Sequence, residues 1–541
     1  MSASSKKKLR NAEQAAKMTE KQLAEQKEAK KLKLYSTLAV VVLVALVVFA
    51  AYVGISRTIE NSGIRERNTV ALTIGEHKIS NAELNYFFID SVNQFYNQYG
   101  SYASMLGLDM TQPLNKQILS TETQTTWADD FLESAIETAK SVYALADEAA
   151  ANGFTLPEAA KANIDTAIQY MDLYASMYGY PDTKTYIKSM YGKGANEETL
   201  RNYYELTELA TYYQEEYRKA LTYSDDQLRA AEAEDFAKYS SYTYNYYYLN
   251  VRNFVESEGE STDYTAEQLA AAAVLAEATA KSLTEGINTV EAFDAAIAAL
   301  PMNAENPSAA SYVSKDVQPI SLFKGYADWM TDESRVAGDM TYVPSTSTTT
   351  DDNGNEVEQI NGYYVVMFNS CNDNTFSLAN VRHILVAFEG GSYDSNSGIT
   401  TYTDEEKAAA HTEAEDILAQ WLAGDATEES FAALANEKSD DGDGTTGGLY
   451  ADVYPGQMVS AFEDWCFAEH QIGDTGIVET EYGYHVMFYS GASEVTYRDH
   501  LISTELASAD FETWYNALVD ATTVTKGNTK YISMDLVLSA N

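Results

Sequence analysis

Cysteine, histidine and proline are scarce in this chain of 541 residues, with two, six and eight copies. Two cysteines, Cys371 and Cys466, cannot build a disulfide framework, and neither their spacing nor their context marks a bridge. Cys466, inside DWCF, reads as a small buried hydrophobe. So few prolines, with no long Gly/Ser tract, exclude a disordered, linker-like protein. Positive charge is the other shortage. Thirty-six Lys/Arg face 81 Asp/Glu, a net charge of −45. Ten of those cations fall in residues 1–34, beside four Glu, so residues 35–541 carry −51. A body this acidic excludes nucleic acid as a partner, because phosphate binding needs clustered Lys/Arg. The chain also lacks a P-loop, CxxC, HExxH and GxSxG, so no metal, cofactor or hydrolase site is expected.

What the chain does have is length enough for several domains and one long apolar run, YSTLAVVVLVALVVFAAYVGIS (35–56). About 20 uncharged, mostly apolar residues suffice to cross a bilayer as a helix. The basic flank precedes the run, so the positive-inside rule puts residues 1–34 in the cytosol and the acidic bulk outside. Both the flank and the run exceed the dimensions of a cleavable signal peptide, which favours an uncleaved single-pass anchor. Residues 11–33 are rich in helix formers.

Beyond the anchor, VALTIGEHKIS (70–80) reads as strand, turn and strand, and Ser80 with Glu83 forms a capping box that opens a helix. The pattern stays helical to about 235, with further box-like starts at Thr155/Glu158 and Ser224/Gln227 and many helix-borne tyrosines, among them Tyr170, Tyr174, Tyr178, Tyr203 and Tyr212. These tyrosines serve either helix packing or a surface for unfolded chains.

From residue 242 the chain repeats itself. YTYNYYYLNV (242–251) is answered by SLANVRHILVAF (377–388), YTAEQ (264–268) by YTDEE (402–406), and VEAFDAAIAAL (290–300) by EESFAALANEK (428–438). YADWM (326–330) is answered by FEDWC (462–466), and NGYYVVMF (361–368) by YGYHVMFY (482–489). Matches in one order over more than 100 residues mark an internal duplication. The second copy alone carries histidines: His383 in RHILV and His485 in YGYHV face Tyr248 and Tyr364 of the first. His77, His411, His470 and His500 have no such company and read as surface or structural.

RHILV, FAALANEKSDD (431–441), GGLYADVYPGQM (447–458), AFEDWCF (461–467) and TEYGYHVMF (480–488) together resemble the parvulin family of peptidyl-prolyl cis/trans isomerases, in particular membrane-attached extracytoplasmic foldases and SurA-like chaperones. The resemblance implies a catalytic group of His383, Asp441, His485 and Thr480, and a proline pocket walled by Leu449, Met458 and Phe462. The chain departs from the family pattern at GGLYADVY, which carries one extra residue before PGQM and leaves the place of Leu449 open.

The expected fold is therefore α+β and multidomain: a cytosolic basic arm (1–34), a transmembrane helix (35–56), a largely helical chaperone-like domain (66–235), a degenerate parvulin-like domain (236–372), a parvulin isomerase domain (377–491) and a tail (492–541). Within the tail, 509–519 reads as a helix and YISMDLVL (531–538) as a strand, and the resemblance implies that it folds back on the helical domain. The implied function is a cell-surface foldase acting on exported, partly folded polypeptides that contain X–Pro bonds. The alternatives are an isomerase-inactive holdase and a structural surface protein that uses parvulin folds as spacers. Oligomeric state is unknown from sequence.

Overall fold

A computed structural model describes residues 2–16, 20–255, 264–306, 308–350, 355–394, 397–442 and 444–538. The chain divides into two compact units, one of residues 1–221 with 510–541, the other of residues 222–509.

The first unit opens with α1 (Ala3–Ala16) and α2 (Glu20–Asn61), a helix of 42 residues that contains the apolar run. Its Val41–Asn61 portion, 21 residues with a mean hydropathy of 2.1, is long and apolar enough to cross a membrane. After α3 (Ile64–Asn68), strands β1 (Val70–Ile74) and β2 (His77–Ser80) form a hairpin. Ser80 and Glu83 cap α4 (Asn81–Tyr99) reciprocally. A short hairpin of β3 (Ile118–Ser120) and β4 (Thr125–Thr126) leads to α5 (Trp127–Ala151), α6 (Glu158–Met177), α7 (Thr183–Tyr191) and α8 (Glu197–Ala220). The expected box at Thr155 is absent: Pro157 is the N-cap of α6. The residue before a proline is kept out of the helical region, so Leu156 cannot be the first helical residue that a Thr155 cap needs. Leu72, Ile74, Leu84, Phe87, Phe88, Phe131 and Ile136 form the core.

The far end of the chain completes this unit. Strand β15 (Val524–Lys526) pairs antiparallel with β1, Val524 lying opposite Ile74. Ile532 is buried in the same core, with Met534, Leu536 and Leu538 packed against it. The segment expected as a strand at 531–538 is irregular instead. Its backbone is satisfied by chain it crosses: the amides of Leu114 and Asn115 donate to the carbonyls of Leu536 and Met534, and Ser533 N–H donates to the Asn85 side chain.

The second unit contains two four-stranded antiparallel sheets. After α9 (Asp225–Glu234), the first is built from β5 (Ser241–Asn250), β6 (Tyr312–Val317), β7 (Met340–Thr350) and β8 (Glu356–Asn372). Helices α10 (Ala266–Ser282), α11 (Val290–Ala298) and α12 (Lys324–Met330) intervene. The second follows β9 (Ser377–Ala387), a small hairpin of β10 (Ser392–Asp394) and β11 (Ile399–Thr401), and helices α13 (Asp404–Ala423) and α14 (Glu428–Lys438). It is completed by β12 (Leu449–Val453), helix α15 (Ser460–Cys466), β13 (Thr475–Glu479) and β14 (Gly483–Thr496). Helix α16 (Tyr497–Ala521) continues from it. The strand orders, β6-β5-β8-β7 and β12-β9-β14-β13, are the same path through the sheet. In both, the first and last strands lie side by side at the centre.

Register refines the correspondence between the sheets. His383 pairs with Met487, and His485 with Leu385. In the first sheet Tyr364 pairs with Tyr248, and Tyr246 with Val366. With NGYYVVMF laid on YGYHVMFY, Tyr364 occupies the place of His485, and the place of His383 falls to Tyr246 rather than Tyr248.

Candidate functional site

The central pair of the second sheet carries both histidines inward. His383 on β9 and His485 on β14 are 3 % and 6 % exposed, and their Nδ1 atoms lie 3.0 Å apart. Two residues of register offset place them diagonally on one face, near enough for the rings to stack with centroids 5.1 Å apart. Phe462 of α15 stands edge-on to both rings at 5.4 and 5.3 Å.

Asp441 arrives by a separate device. The Ser439 hydroxyl accepts from the amides of Leu385 and Asp441, while Asp440 N–H donates to the Leu385 carbonyl and its carboxylate accepts from Ala387 N–H. This stitches residues 439–441 along β9 and brings Asp441 Oδ2 to 3.0 Å from His383 Nε2. On the other side Thr480 Oγ1 lies 2.9 Å from His485 Nε2.

These contacts fix the protons. An ionised carboxylate only accepts, so His383 Nε2 must donate to Asp441. A neutral His383 then accepts at Nδ1, His485 donates from Nδ1, and His485 Nε2 accepts the Thr480 hydroxyl. Tyr482 N–H donates to Thr480 Oγ1 at 3.2 Å, so every donor in the chain points toward Asp441. The charge state agrees. Burial holds His383 below the ordinary histidine range against the pull of Asp441, and burial with the neighbouring His383 takes His485 down to about 4. Both rings are neutral at pH 7.

Beside the histidines lies a cavity of about 340 Å³, walled by Met458, Val459 and Phe462 on its apolar side and by Asp441, Tyr450 and Tyr482 elsewhere. The structure thus gathers His383, Asp441, His485, Met458 and Phe462 around one cavity, with Thr480 behind His485. Leu449 is not part of it. It pairs with Arg382, whose guanidinium bonds Glu428 and the carbonyls of Thr446 and Gly447, and it is 40 % exposed. Side chains alternate along a strand, so the neighbour Tyr450, opposite Val381, faces the cavity instead.

The extra residue of GGLYADVY is absorbed downstream, where the register slips between Tyr450 and Val453. Asp452 takes a φ of 53°, its amide donates to the Asn380 side chain, and Val453 returns to the core. This is a β-bulge, which corrects the parity of the strand at its end while leaving Tyr450 inward at its start. The sequence reading missed Tyr450, Gln457, Val459, Leu385 and Tyr482; parity counted back from the core residue Val453 points to Leu449, and only the bulge turns Tyr450 inward instead. Among the described residues, no group of three or more His, Cys, Asp or Glu is placed to hold a metal ion.

Residues 363–489 match the family model described as the PPIC-type PPIASE domain. No curated protein matches the chain. Among solved structures, PrsA from Bacillus cereus is similar at 23% identity over 27% of this chain and 49% of its own, with a TM-score of 0.17. ESS1 from Candida albicans is similar at 28% over 21% of this chain and 63% of its own, with a TM-score of 0.16. A structure of the SurA-like chaperones PEB4 and Cj1289 of Campylobacter jejuni is similar at 25% over 26% of this chain and 51% of its own, TM-score 0.16. The chain thus spans about half the length of the PrsA structure. Residues 363–489 carry a PPIC-type peptidyl-prolyl isomerase domain, a parvulin.

Proposed function

We propose that the cavity beside His383 and His485 isomerises X–Pro bonds in exported polypeptides, and that the chain is a membrane-anchored foldase. The observation that carries this reading is an apolar pocket adjoining a fully directed hydrogen-bond chain that ends on one carboxylate. Rotation about an X–Pro amide faces a barrier of about 18–20 kcal/mol because the planar amide shares charge between nitrogen and oxygen. Met458, Val459 and Phe462 offer a dry grip for the proline ring. Asp441, held beside the cavity, opposes negative charge on the amide oxygen and so weakens the planar form relative to the twisted one. No covalent bond is made or broken. Neutral, hydrogen-bonded imidazoles keep Asp441 in place without adding a cation that would cancel its effect.

In this reading α2 is the anchor, with the basic arm on the cytosolic side and the acidic bulk outside. The helical unit, whose α6 exposes Tyr170, Leu173, Tyr174 and Met177 along one face beside its C-cap Tyr178, holds unfolded clients. The first sheet is an isomerase fold without the reaction: Tyr246 and Tyr364 stand where the second has histidines, and Tyr326, the counterpart of Phe462, lies 6.1 Å from Tyr364. Tyrosines fill that site with bulk and lack an imidazole pair.

The test is isomerisation of a short Ala–Pro peptide by the full chain in detergent micelles. Replacing either histidine strands a buried partner, so His383→Ala and His485→Ala should each lower kcat/KM by about 10- to 100-fold. An inactive wild type that still suppresses aggregation of an unfolded protein would replace the isomerase reading with a holdase.

A further inference from the structure

The bulge at Ala451–Asp452 leaves a tyrosine in the pocket wall, and its hydroxyl has a specific target. Tyr450 OH donates to Asp441 Oδ2 at 2.9 Å, the same oxygen that receives His383 Nε2–H. Its ring lies 5.0 Å from His383 and 6.2 Å from Phe462, so the side chain is pinned between the histidine and the proline grip. Two donors from different strands, β9 and β12, therefore converge on one carboxylate oxygen. Oδ1 stays outside this pair of bonds. A carboxylate held by one donor can rotate about its Cβ–Cγ bond; held on one oxygen by two donors at an angle, it cannot turn without losing one of them.

We propose that Tyr450 is a positioning residue for the isomerisation, acting through Asp441 by fixing the plane of its carboxylate beside the cavity. This rests on the isomerase reading of the site and extends it to a residue that acts at one remove from the rotating bond. Burial and the bond to Asp441 hold the Tyr450 phenol above its ordinary range, so it remains a donor across the working pH. The aromatic ring keeps the wall apolar, and the hydroxyl adds orientation that an aliphatic wall lacks.

The experiment uses the full chain in detergent micelles with Tyr450→Phe, Asp441→Asn and the double variant. Tyr450→Phe retains the ring and removes one hydrogen bond to a charged group, so kcat should fall about tenfold with KM within about twofold. In the Asp441→Asn background the same change should cost nothing more, because the group it positions is gone. Independently of activity, the ¹⁵N resonance of His383 Nε2 should move in Tyr450→Phe, since Asp441 Oδ2 then serves a single donor. A kcat equal to wild type, or an equal loss in both backgrounds, would overturn the proposal. If no variant and no wild type isomerises the peptide, the isomerase reading fails, and an unmoved His383 resonance then also refutes the clamp. A moved resonance in that case would uphold the clamp as geometry while removing its catalytic purpose.

Discussion

At the scale of single residues, the neutral histidine pair makes the site sensitive to acid. His485 titrates near 4 when folded and near 6.5 in an unfolded chain. Above pH 6.5 both states are neutral there and its stabilising contribution is complete. Between pH 6.5 and 4 the unfolded chain takes up a proton that the buried ring refuses, so stability falls as pH falls, by on the order of 3 kcal/mol, and levels off below 4. Denaturant unfolding of wild type against His485→Asn across that window should show the wild type losing more; parallel curves would refute the assignment. Activity should follow the same limb, with kcat/KM flat from pH 8 to about 5 and falling with a midpoint near 4. Resonances of the two rings in a pH titration would separate loss of the dyad from loss of the fold.

Elements set those residues in place, and here glycine is decisive at one point. Gly448 precedes β12 with a φ of +66°, and a Cβ there would stand 2.1 Å from the His383 carbonyl oxygen. Its own carbonyl accepts His383 N–H at 2.9 Å. Gly448→Ala should therefore displace β12 from β9, cost about 2–4 kcal/mol and abolish activity, with a lowered Tm as the check. Much of this layer was legible in sequence. Ser80/Glu83, Ser224/Gln227, Thr265/Gln268 and Thr403/Glu406 all form capping boxes, because that motif is complete within four residues. The place of Tyr450 was not legible, since it depends on where a bulge falls, and that is decided by Asn380 across the sheet rather than by β12 itself. The equivalence of Tyr246 with His383 was hidden for the same reason: register is a property of two strands. YISMDLVL shows the opposite failure. Ile532 is buried and its apolar neighbours partly so, but irregularly, against α4 and the loop before β3, and composition alone cannot tell burial from pairing.

At the scale of the whole molecule, the unit built from residues 1–221 depends on residues more than 300 positions away. Deleting 522–541 removes β15 from β1 and takes Ile532, Met534, Leu536 and Leu538 from the core. Losing four such side chains at about 1–3 kcal/mol each, about 4–12 kcal/mol together, is comparable with the whole margin of a typical domain of about 5–15 kcal/mol. Hydrogen exchange should then show lost protection over β1, β2 and α4, while isomerisation by the parvulin domain continues. Persisting protection of α4 in the truncated chain would contradict the assignment of the tail to that core.

The same interleaving sets an order in time. Strand β1 meets its partner β15 only after about 450 further residues have been made. At about 5–20 residues per second that wait lasts tens of seconds, whereas every strand of the sheet holding His383 and His485 is complete by residue 496. The isomerase domain is therefore finished while the helical unit is still open at its edge. On each newly made chain, the catalytic part comes into being before the part that surrounds β1, and β15 latches an edge that has waited since early in synthesis.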